Sequence, residues 1–305
     1  MQVQRCYFKT CHRPLPQKLT PFLLLLVVLC SCETHRYIYS PAPANNPYFN
    51  GKNQSKLAAY LSGGDGERKG FDSSSRIKPK NRGFDLQAAY SITDHFAITA
   101  DYFKRTERDI YIKTPENDVF SYFDSSVVNY NRKLWNMGVG YFTALDKRKT
   151  ITFNFYGGIG FGKFSLIDNG ADAAQAYTRN HNTDITKWYI QPSIHFMPER
   201  YFSIGLVTKF SFVHYGNIST TYTASEQNYY SLDWLPGRTL SFFEPTLNIQ
   251  AGSARLDWLK IEGSFCSTPL DPTTPSNRLK TRGFNASIGL VVDLTRLKKG
   301  QPANK

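Results

Sequence analysis

The stretch from Thr150 to Phe164 reads TITFNFYGGIGFGKF, and large apolar side chains occupy most of its alternate positions. The positions between them carry threonine, asparagine, tyrosine or glycine. Because successive side chains of a β-strand point to opposite faces, this alternation predicts a strand with one apolar face and one small or polar face. The stretch is longer than the about 9–11 residues that a tilted strand needs to cross a bilayer. It therefore predicts a membrane-spanning strand.

The composition of the 305-residue chain favours strands over helices as membrane-crossing elements. Aromatic residues make up 15% of it, hydrophobic residues only 41%, and the mean hydropathy is −0.42. A helical membrane protein contains apolar runs of about 20 residues, whereas the longest run here is Phe22–Cys30. Transmembrane barrels distribute their apolar residues in alternation, so a modest average hydropathy is expected of them.

The N-terminus has the organisation of a secretory signal. Four basic residues precede the apolar segment Pro21–Leu29, as the n-region precedes the h-region in a signal peptide. We therefore expect a secreted or membrane-inserted product. The basic residues are Arg5, Lys9, Arg13 and Lys18.

The sequence Leu29-Cys30-Ser31-Cys32 follows, and it resembles the lipobox of bacterial lipoproteins, whose last Cys is acylated after cleavage in front of it. The resemblance implies a signal peptide over 1–31 and a lipid anchor on Cys32. Cys30 is the weaker candidate, because the bulky Leu29 would then precede the cut. An ordinary signal peptide cleaved nearby is the alternative.

Cleavage in front of Cys32 would leave that residue and Cys266 as the cysteines of the mature chain, which excludes a disulfide framework. It would also leave 33 basic against 24 acidic residues. No nucleic-acid motif accompanies this charge, and an exported basic surface more simply faces anionic lipid. The expected partners are outer-membrane lipid and lipopolysaccharide, and the barrel-insertion machinery during biogenesis.

From Lys56 onward the alternation of the first stretch repeats. The sequence therefore predicts an all-β fold over 56–294, a single antiparallel, up-and-down transmembrane β-barrel of about ten strands. Residues 32–55 contain three prolines and no periodicity, so we expect a periplasmic tether there, and 295–305 form a basic periplasmic tail. The predicted strands are 56–63, 83–92, 96–103, 130–143, 150–164, 185–196, 201–213, 243–251, 257–265 and 283–294.

Four short turns and five long loops alternate between these strands; 168–182 and 214–238 are two of the loops. Outer-membrane barrels have short periplasmic turns and longer external loops. An even number of strands brings both ends of the barrel to the periplasmic side, where a lipid-tethered N-terminus would lie. We therefore expect the outer membrane of a Gram-negative bacterium, with both termini periplasmic.

Two prolines, Pro192 and Pro245, lie inside predicted strands. Proline removes a ladder hydrogen bond and is normally confined to edge strands or bulges. A closed barrel has no edge strand, so we expect a β-bulge at each of the two positions.

The polar faces of the strands predict a lumen lined by ionisable and amide side chains. About eight strands give a barrel filled by side chains, whereas about 16–18 leave a channel, so ten favour a closed or narrow lumen. Gly140 and Gly158 would leave room for inward tyrosines such as Tyr156 and Tyr189. The residues predicted to face the lumen are Asp85, Asp101, Gln191, His195, Glu244, Lys260 and Glu262.

Signals for catalysis are sparse. Some ten-stranded outer-membrane barrels are proteases that use Asp and His at the external rim, and the candidates here are His181, Asp184 and His214. No second acidic pair is placed to bind a water, and the histidines show no metal-ligand spacing. The prediction is therefore no catalytic residue, no metal and no cofactor.

Several segments resemble small outer-membrane lipoprotein barrels, usually described only as outer-membrane β-barrel domain proteins. This resemblance covers most of the mature chain and implies a barrel, but it brings no catalytic or ligand residue. The favoured function is structural or surface-binding; a narrow channel for small polar solutes, a rim hydrolase and a lipid-tethered periplasmic β-sandwich are the alternatives. The segments are Tyr39-Ser40-Pro41, 83–102, 155–163, 188–196, 242–252 and 284–294.

Overall fold

The computed structural model describes residues 35–64, 66–69, 77–112, 125–172, 175–269 and 278–300. These residues form thirteen strands and two seven-residue α-helices, Ala224–Tyr230 and Leu294–Gly300. The strands are β1 (Arg36–Tyr39), β2 (Ser55–Gly64), β3 (Arg68–Lys69), β4 (Lys80–Ser91), β5 (Phe96–Ile112), β6 (Ser125–Ala144), β7 (Ile151–Asp172), β8 (Gln175–Glu199), β9 (Phe202–Thr220), β10 (Thr239–Ser253), β11 (Leu256–Ser267), β12 (Leu279–Thr281) and β13 (Phe284–Asp293).

Ten of the strands close into one antiparallel barrel. Each pairs with the next in the order β2, β4, β5, β6, β7, β8, β9, β10, β11 and β13, and β13 pairs with β2. The predicted ten-stranded, up-and-down barrel is confirmed, and the alternative of a two-sheet sandwich is wrong because the strands form a single ring. Of the remaining strands, β1 pairs in parallel with β12, and β3 in parallel with β5.

Large apolar side chains cover the outside of the barrel. Leu61, Met137 and Ile288 expose 68%, 67% and 62% of their surface although each lies within a paired strand. Their chain neighbours Tyr60 and Asn136 point inward and are only 2% exposed. This arrangement inverts that of a water-soluble protein, and an outward apolar band is what a bilayer requires of a barrel. We call this outer band the apolar belt.

One part of the wall is much taller than predicted. The strands β5 to β9 contain 17 to 25 residues, whereas β2 and β13 contain 10 each. The predicted loop 168–182 is wrong, because β7 and β8 pair as far as Asp172 and Gln175. Similarly, β9 continues to Thr220 inside the predicted loop 214–238. Outward side chains above the apolar belt are not required to be apolar, so the alternation ends there while the hydrogen-bonded ladder continues.

The β-bulges predicted at the two prolines are also wrong. The ladder between β8 and β9 keeps one register on both sides of Pro192 and only omits the step at Gln191 and Pro192. The ladder between β9 and β10 runs unshifted through Pro245 and Thr208, and the ladder between β10 and β11 starts one residue later, at Thr246. Each proline therefore lies where one of its two neighbouring strands forms no ladder pair, so the N–H group that proline lacks is not needed there. Neither strand contains the extra residue of a β-bulge at these positions.

Glycines in β6 and β7 provide space for inward tyrosines, as predicted. A Cβ on Gly140 would overlap the ring of Tyr156, and one on Gly158 would overlap the ring of Tyr189. Both rings are buried. On this side of the barrel, aromatic side chains therefore fill the interior by packing directly on the backbone of glycines.

We expect Gly140→Val to destabilise the barrel by about 1–3 kcal/mol, because overpacking forces neighbouring groups to move. The matched control is Gly263→Val on β11, where a Cβ would have no heavy atom within 4 Å and the unfolding free energy should be unchanged. Urea unfolding in detergent micelles measures both. Equal stability of the two variants would contradict the tight contact at Gly140.

The two ends of the barrel differ. One end carries the connections 92–95, 145–150, 200–201 and 254–255, and we call it the short-turn mouth. The opposite end, where the connections 221–238 and 268–283 lie, is the long-loop mouth. The predicted tail begins as the helix Leu294–Gly300 at the short-turn mouth, while 301–305 lie outside the described residues. Within the described residues, no helix has both the length and the hydropathy for a membrane crossing.

Candidate functional site

The lumen is occupied by the chain's own N-terminal segment. Residues 35–49 run through the barrel from the long-loop mouth to the short-turn mouth, and we call them the thread. The thread lies within the segment 32–55, which the sequence predicts as an open tether. Its residues are instead mostly buried. The physical reason is that their side chains find partners on the barrel's inner face. The thread residues that expose less than a tenth of their surface include Arg36, Ile38, Tyr39, Ser40, Ala42, Ala44, Asn45, Asn46, Tyr48 and Phe49.

At the long-loop mouth the thread is held by Arg36, which is fully buried. Its guanidinium donates to Oδ2 of Asp168 on β7 at 2.5 Å and lies 3.8 Å from the ring centre of Tyr230. Tyr222 donates to the same carboxylate oxygen at 3.0 Å. Burial raises the pKa of the Tyr222 phenol well above its usual value, which keeps it a donor. Asp168 therefore accepts from two groups on different segments.

A short helix covers this contact. The helix Ala224–Tyr230 begins with a capping box, in which Thr223 and Glu226 each bond the other's backbone N–H. Such caps fix where a helix starts. The carboxylate of Glu226 also pairs with Arg179 on β8. The loop between β9 and β10 is thereby fixed over the thread.

One step further inside, the thread strand β1 pairs with β12, and Arg282 directly after β12 anchors that pair to the wall. Arg282 donates to Glu107 at 3.1 Å and to both oxygens of Asp109, at 2.8 and 2.7 Å. The ring of Tyr37 in the thread lies 3.7 Å from the Arg282 guanidinium carbon. Arg132 on β6 also pairs with Glu107 and donates to the Tyr37 carbonyl. These charged groups are buried and pair with groups of opposite charge.

Near the middle of the lumen the thread meets a buried carboxylate. Tyr39 donates to Glu244 at 2.9 Å, and Lys187 lies 3.3 Å from the same oxygen and 2.6 Å from the Tyr39 hydroxyl. Ser211 also donates to this carboxylate. Tyr39 stacks on Phe242 with ring centres 4.0 Å apart. The thread thus completes an ion pair that spans β8 and β10.

Below this level two asparagines fix the thread by amide hydrogen bonds. Asn45 donates to the carbonyl of Ala88 at 3.1 Å, and its own carbonyl accepts from Gln191 at 2.9 Å. Asn46 accepts from Ser193 at 2.7 Å and from Asn154 at 3.1 Å. The contacts reach strands on opposite sides of the ring, so the thread crosses the lumen and does not lie along one wall.

The thread leaves at the short-turn mouth. Phe49 packs on Phe142 with ring centres 5.6 Å apart, and Tyr48 donates to the carbonyl of Lys149 in the turn between β6 and β7. Residues 50–54 then turn the chain back into β2. The backbone N–H of Lys52 donates to Asp94 at 2.9 Å in the neighbouring turn. The barrel therefore starts where predicted, but the segment in front of it returns to the opposite mouth.

Small cavities lie beside the thread in the described part of the lumen. Two cavities that it borders near Lys56 have volumes of about 20 and 10 Å³, roughly the space of one water each. A recess of about 400 Å³ opens at the short-turn mouth and is lined by Tyr48, Arg200, Asp293 and Arg296 among others.

The polar residues predicted to face the lumen lie on the inner side of the wall. Glu244 joins the ion pair with Lys187, and Glu262 accepts from Tyr60 at 3.0 Å. Asp101 is only partly buried and accepts from Asn136. Their function stays a prediction. The six that expose less than a tenth of their surface are Asp85, Gln191, His195, Glu244, Lys260 and Glu262.

The three candidates for a rim hydrolase are not brought together. His181 points inward and is fully buried, whereas Asp184 and His214 lie on the outer side of the wall. Asp184 instead accepts from Asn217 at 2.9 Å, and His214 contacts Thr239 at 3.2 Å. Among the described residues, no three His, Cys, Asp or Glu side chains are placed to hold a metal ion.

No family model and no curated protein matches this chain. It is similar to the solved translocator domain of the autotransporter NalP from Neisseria meningitidis, with TM-score 0.45 and 9% identity over 80% of this chain and 89% of that chain. The outer membrane protease OmpT from Escherichia coli has TM-score 0.44 and 10% identity, over 86% and 100%. Ail, the attachment invasion locus protein of Yersinia pestis, has TM-score 0.28 and 12% identity, over 52% and 87%. At these identities the similarity concerns the fold alone.

The thread is the part of the site that the sequence analysis missed. Its one local signal is composition, because a solvated tether seldom carries an arginine and several aromatic residues in so short a span. Arg36, Tyr37, Tyr39, Tyr48 and Phe49 all lie within fourteen residues. The partner carboxylates Asp168 and Glu244 are more than a hundred residues away, so no spacing rule connects them to the thread.

Proposed function

We propose that this chain is a non-enzymatic outer-membrane β-barrel lipoprotein that is sealed by its own N-terminal thread and has a structural or surface-binding role. The observation that carries the proposal is the thread itself. A barrel whose lumen holds fifteen residues of its own chain, fixed at the mouth by Arg36 and midway by Tyr39, has no free path for a solute.

The apolar belt supports the membrane location. A closed barrel in water would not place leucine, tryptophan and phenylalanine on its outer surface, because exposing large apolar patches to water is unfavourable. Barrels of the Gram-negative outer membrane require such a band, about 25 Å tall. Trp135 and Phe161 on neighbouring strands expose 60% and 57% of their surface. Lipid and lipopolysaccharide are therefore the partners of this surface, after insertion by the barrel-assembly machinery.

The lipid anchor belongs to the same proposal. The signal peptide over 1–31 and the acylated Cys32 rest on the sequence, and these positions lie outside the described residues. A basic mature chain and a buried, unpaired Cys266 agree with a lipoprotein that needs no disulfide.

The binding role is assigned to the long-loop mouth. There the capped helix Ala224–Tyr230 and the tall hairpin of β7 and β8 form a fixed surface above the belt. Loops held on a rigid scaffold are where binding residues concentrate. The short-turn mouth carries the tight turns, the recess of about 400 Å³ and the helix Leu294–Gly300 instead of long loops.

Planar-bilayer recording of the purified, full-length mature protein tests the sealed lumen. We expect no conductance steps, because the thread excludes a continuous water path. A heat-dependent shift in gel mobility in the same preparation shows that the barrel is folded. Steps of reproducible size from the folded protein would contradict the proposal and favour the narrow channel for small polar solutes.

A further inference from the structure

The direction of the thread determines at which mouth the N-terminus emerges. The carbonyl of His35, the first described residue, accepts from the Tyr111 hydroxyl at 2.9 Å. Tyr111 pairs with Ser126 on β6. Ser126 lies nine residues from Trp135, an outward residue of the apolar belt, in the direction of the long-loop mouth. His35 therefore lies past the belt, on the side of the long loops. By contrast, the last strand ends at Asp293, at the short-turn mouth. The first described residue and the end of the last strand therefore lie at opposite mouths, whereas the sequence predicts both termini on one side; the termini themselves lie outside the described residues.

The thread is held in this direction by buried charge. Arg36 and Asp168 have side chains that are 1% and 0% exposed, and they pair at 2.5 Å. Withdrawing the thread would leave Asp168 inside the mouth without its cation, and breaking a buried pair is strongly unfavourable. The parallel pairing of β1 with β12 adds backbone hydrogen bonds at the same level. The exit at the long-loop mouth is thus a feature of the folded state.

Chain length then limits where Cys32 can reach. Three residue steps separate Cys32 from His35, and an extended chain covers at most about 3.6 Å per residue, or roughly 11 Å. The apolar band of an outer-membrane barrel is about 25 Å tall. From His35, Cys32 is therefore unable to reach the leaflet at the short-turn mouth in any conformation.

We infer that the acyl chains on Cys32 enter the membrane from the long-loop side, in the external leaflet, so that the anchor lies on the cell-surface side of the barrel. This inference rests on the proposed acylation of Cys32. It assigns the modification site to the leaflet opposite the one that an ordinary periplasmic tether would use.

The wall allows this route. It is lowest at β2 and β13, with 10 residues each, against 20 to 25 in β6 to β8. The thread pairs with β12, which precedes β13 by two residues. The rim that separates the long-loop mouth from lipid is therefore lowest on the side of β2 and β13.

Cysteine labelling on intact cells tests the inference. The parent protein supplies a clean background, because Cys266 is buried and an acylated Cys32 has no free thiol. A membrane-impermeant maleimide is applied to the variant Thr34→Cys before and after outer-membrane permeabilisation. We expect equal labelling in both conditions, since position 34 directly precedes His35 at the long-loop mouth.

Two further variants define the sides. Ser225→Cys on the exposed face of the loop helix should be labelled on intact cells, and Lys147→Cys in a short turn only after permeabilisation. If Thr34→Cys is labelled only after permeabilisation, as Lys147→Cys is, the inference is overturned. It is also overturned if Lys147→Cys is labelled on intact cells and Ser225→Cys only after permeabilisation. A labelled parent protein is a different result: it would show an unmodified Cys32 and contradict the acylation in the proposed function. Mass measurement of the N-terminal peptide separates these cases.

Discussion

Deleting residues 35–49 should convert a sealed barrel into a conducting one. The ten strands pair with one another around the whole ring, so the wall does not depend on the thread for its hydrogen bonds. The inner face exposed by the deletion is polar, with Asp168, Lys187 and Glu244 among its side chains, and water would enter it. Planar-bilayer recordings of the deletion variant should show steps of reproducible conductance, whereas the parent protein should show none.

The control keeps the thread and removes some of its contacts. Asn46→Ala deletes the hydrogen bonds to Ser193 and Asn154 but leaves the backbone of the thread in the lumen, so this variant should stay sealed. Heat-shifted gel mobility verifies that each variant is folded. A folded deletion variant that remains sealed would mean that side chains alone close the lumen, as in barrels of about eight strands.

Glu244→Gln should be the most destabilising single substitution in the middle of the lumen. The change keeps the shape and removes the charge, which leaves the ammonium of Lys187, only 1% exposed, without its carboxylate. Removing one partner of a buried ion pair typically costs about 3–5 kcal/mol. Urea unfolding in detergent micelles should show this loss in the free energy of unfolding. Tyr39 in the thread also loses its charged acceptor, so part of the loss comes from this hydrogen bond.

The matched control is Glu199→Gln, a glutamate that is exposed near the end of β8, and its effect should be close to zero. The double variant Lys187→Met, Glu244→Leu replaces both charges by apolar side chains of similar volume. It should recover most of the lost stability, because exchanging a buried pair for packed apolar groups is often neutral. A double variant as unstable as Glu244→Gln would show that packing, and not the unpaired charge, is responsible.

The barrel could be predicted because its signal is local and repeated. Within each membrane-crossing strand the lipid selects apolar residues at alternate positions, and Thr150–Phe164 shows this period by itself. The same reasoning explains the errors at the strand ends. Above the belt, Lys163 and Asp184 point to water, so β7 and β8 continue for several residues without any apolar period to mark them.

The thread could not be predicted because its partners are distant in the chain. Arg36 needs Asp168, and Tyr39 needs Glu244, so the burial of the segment becomes visible only once the ring has closed around it. Its three prolines and irregular pattern are those of an open linker. An even number of strands correctly places the start of β2 at the short-turn mouth, but it carries no information about the residues in front of β2.

A chain enclosed by its own barrel constrains the order in which the protein is assembled. The final pairing, between β13 and β2, joins strands that lie more than two hundred residues apart, and such distant contacts form late. Passing the thread, with the bulky side chains of Arg36 and Phe49, through the packed interior is unfavourable once that pairing exists. We therefore expect residues 35–49 to lie across the inner surface of an open sheet before the last strands close around them.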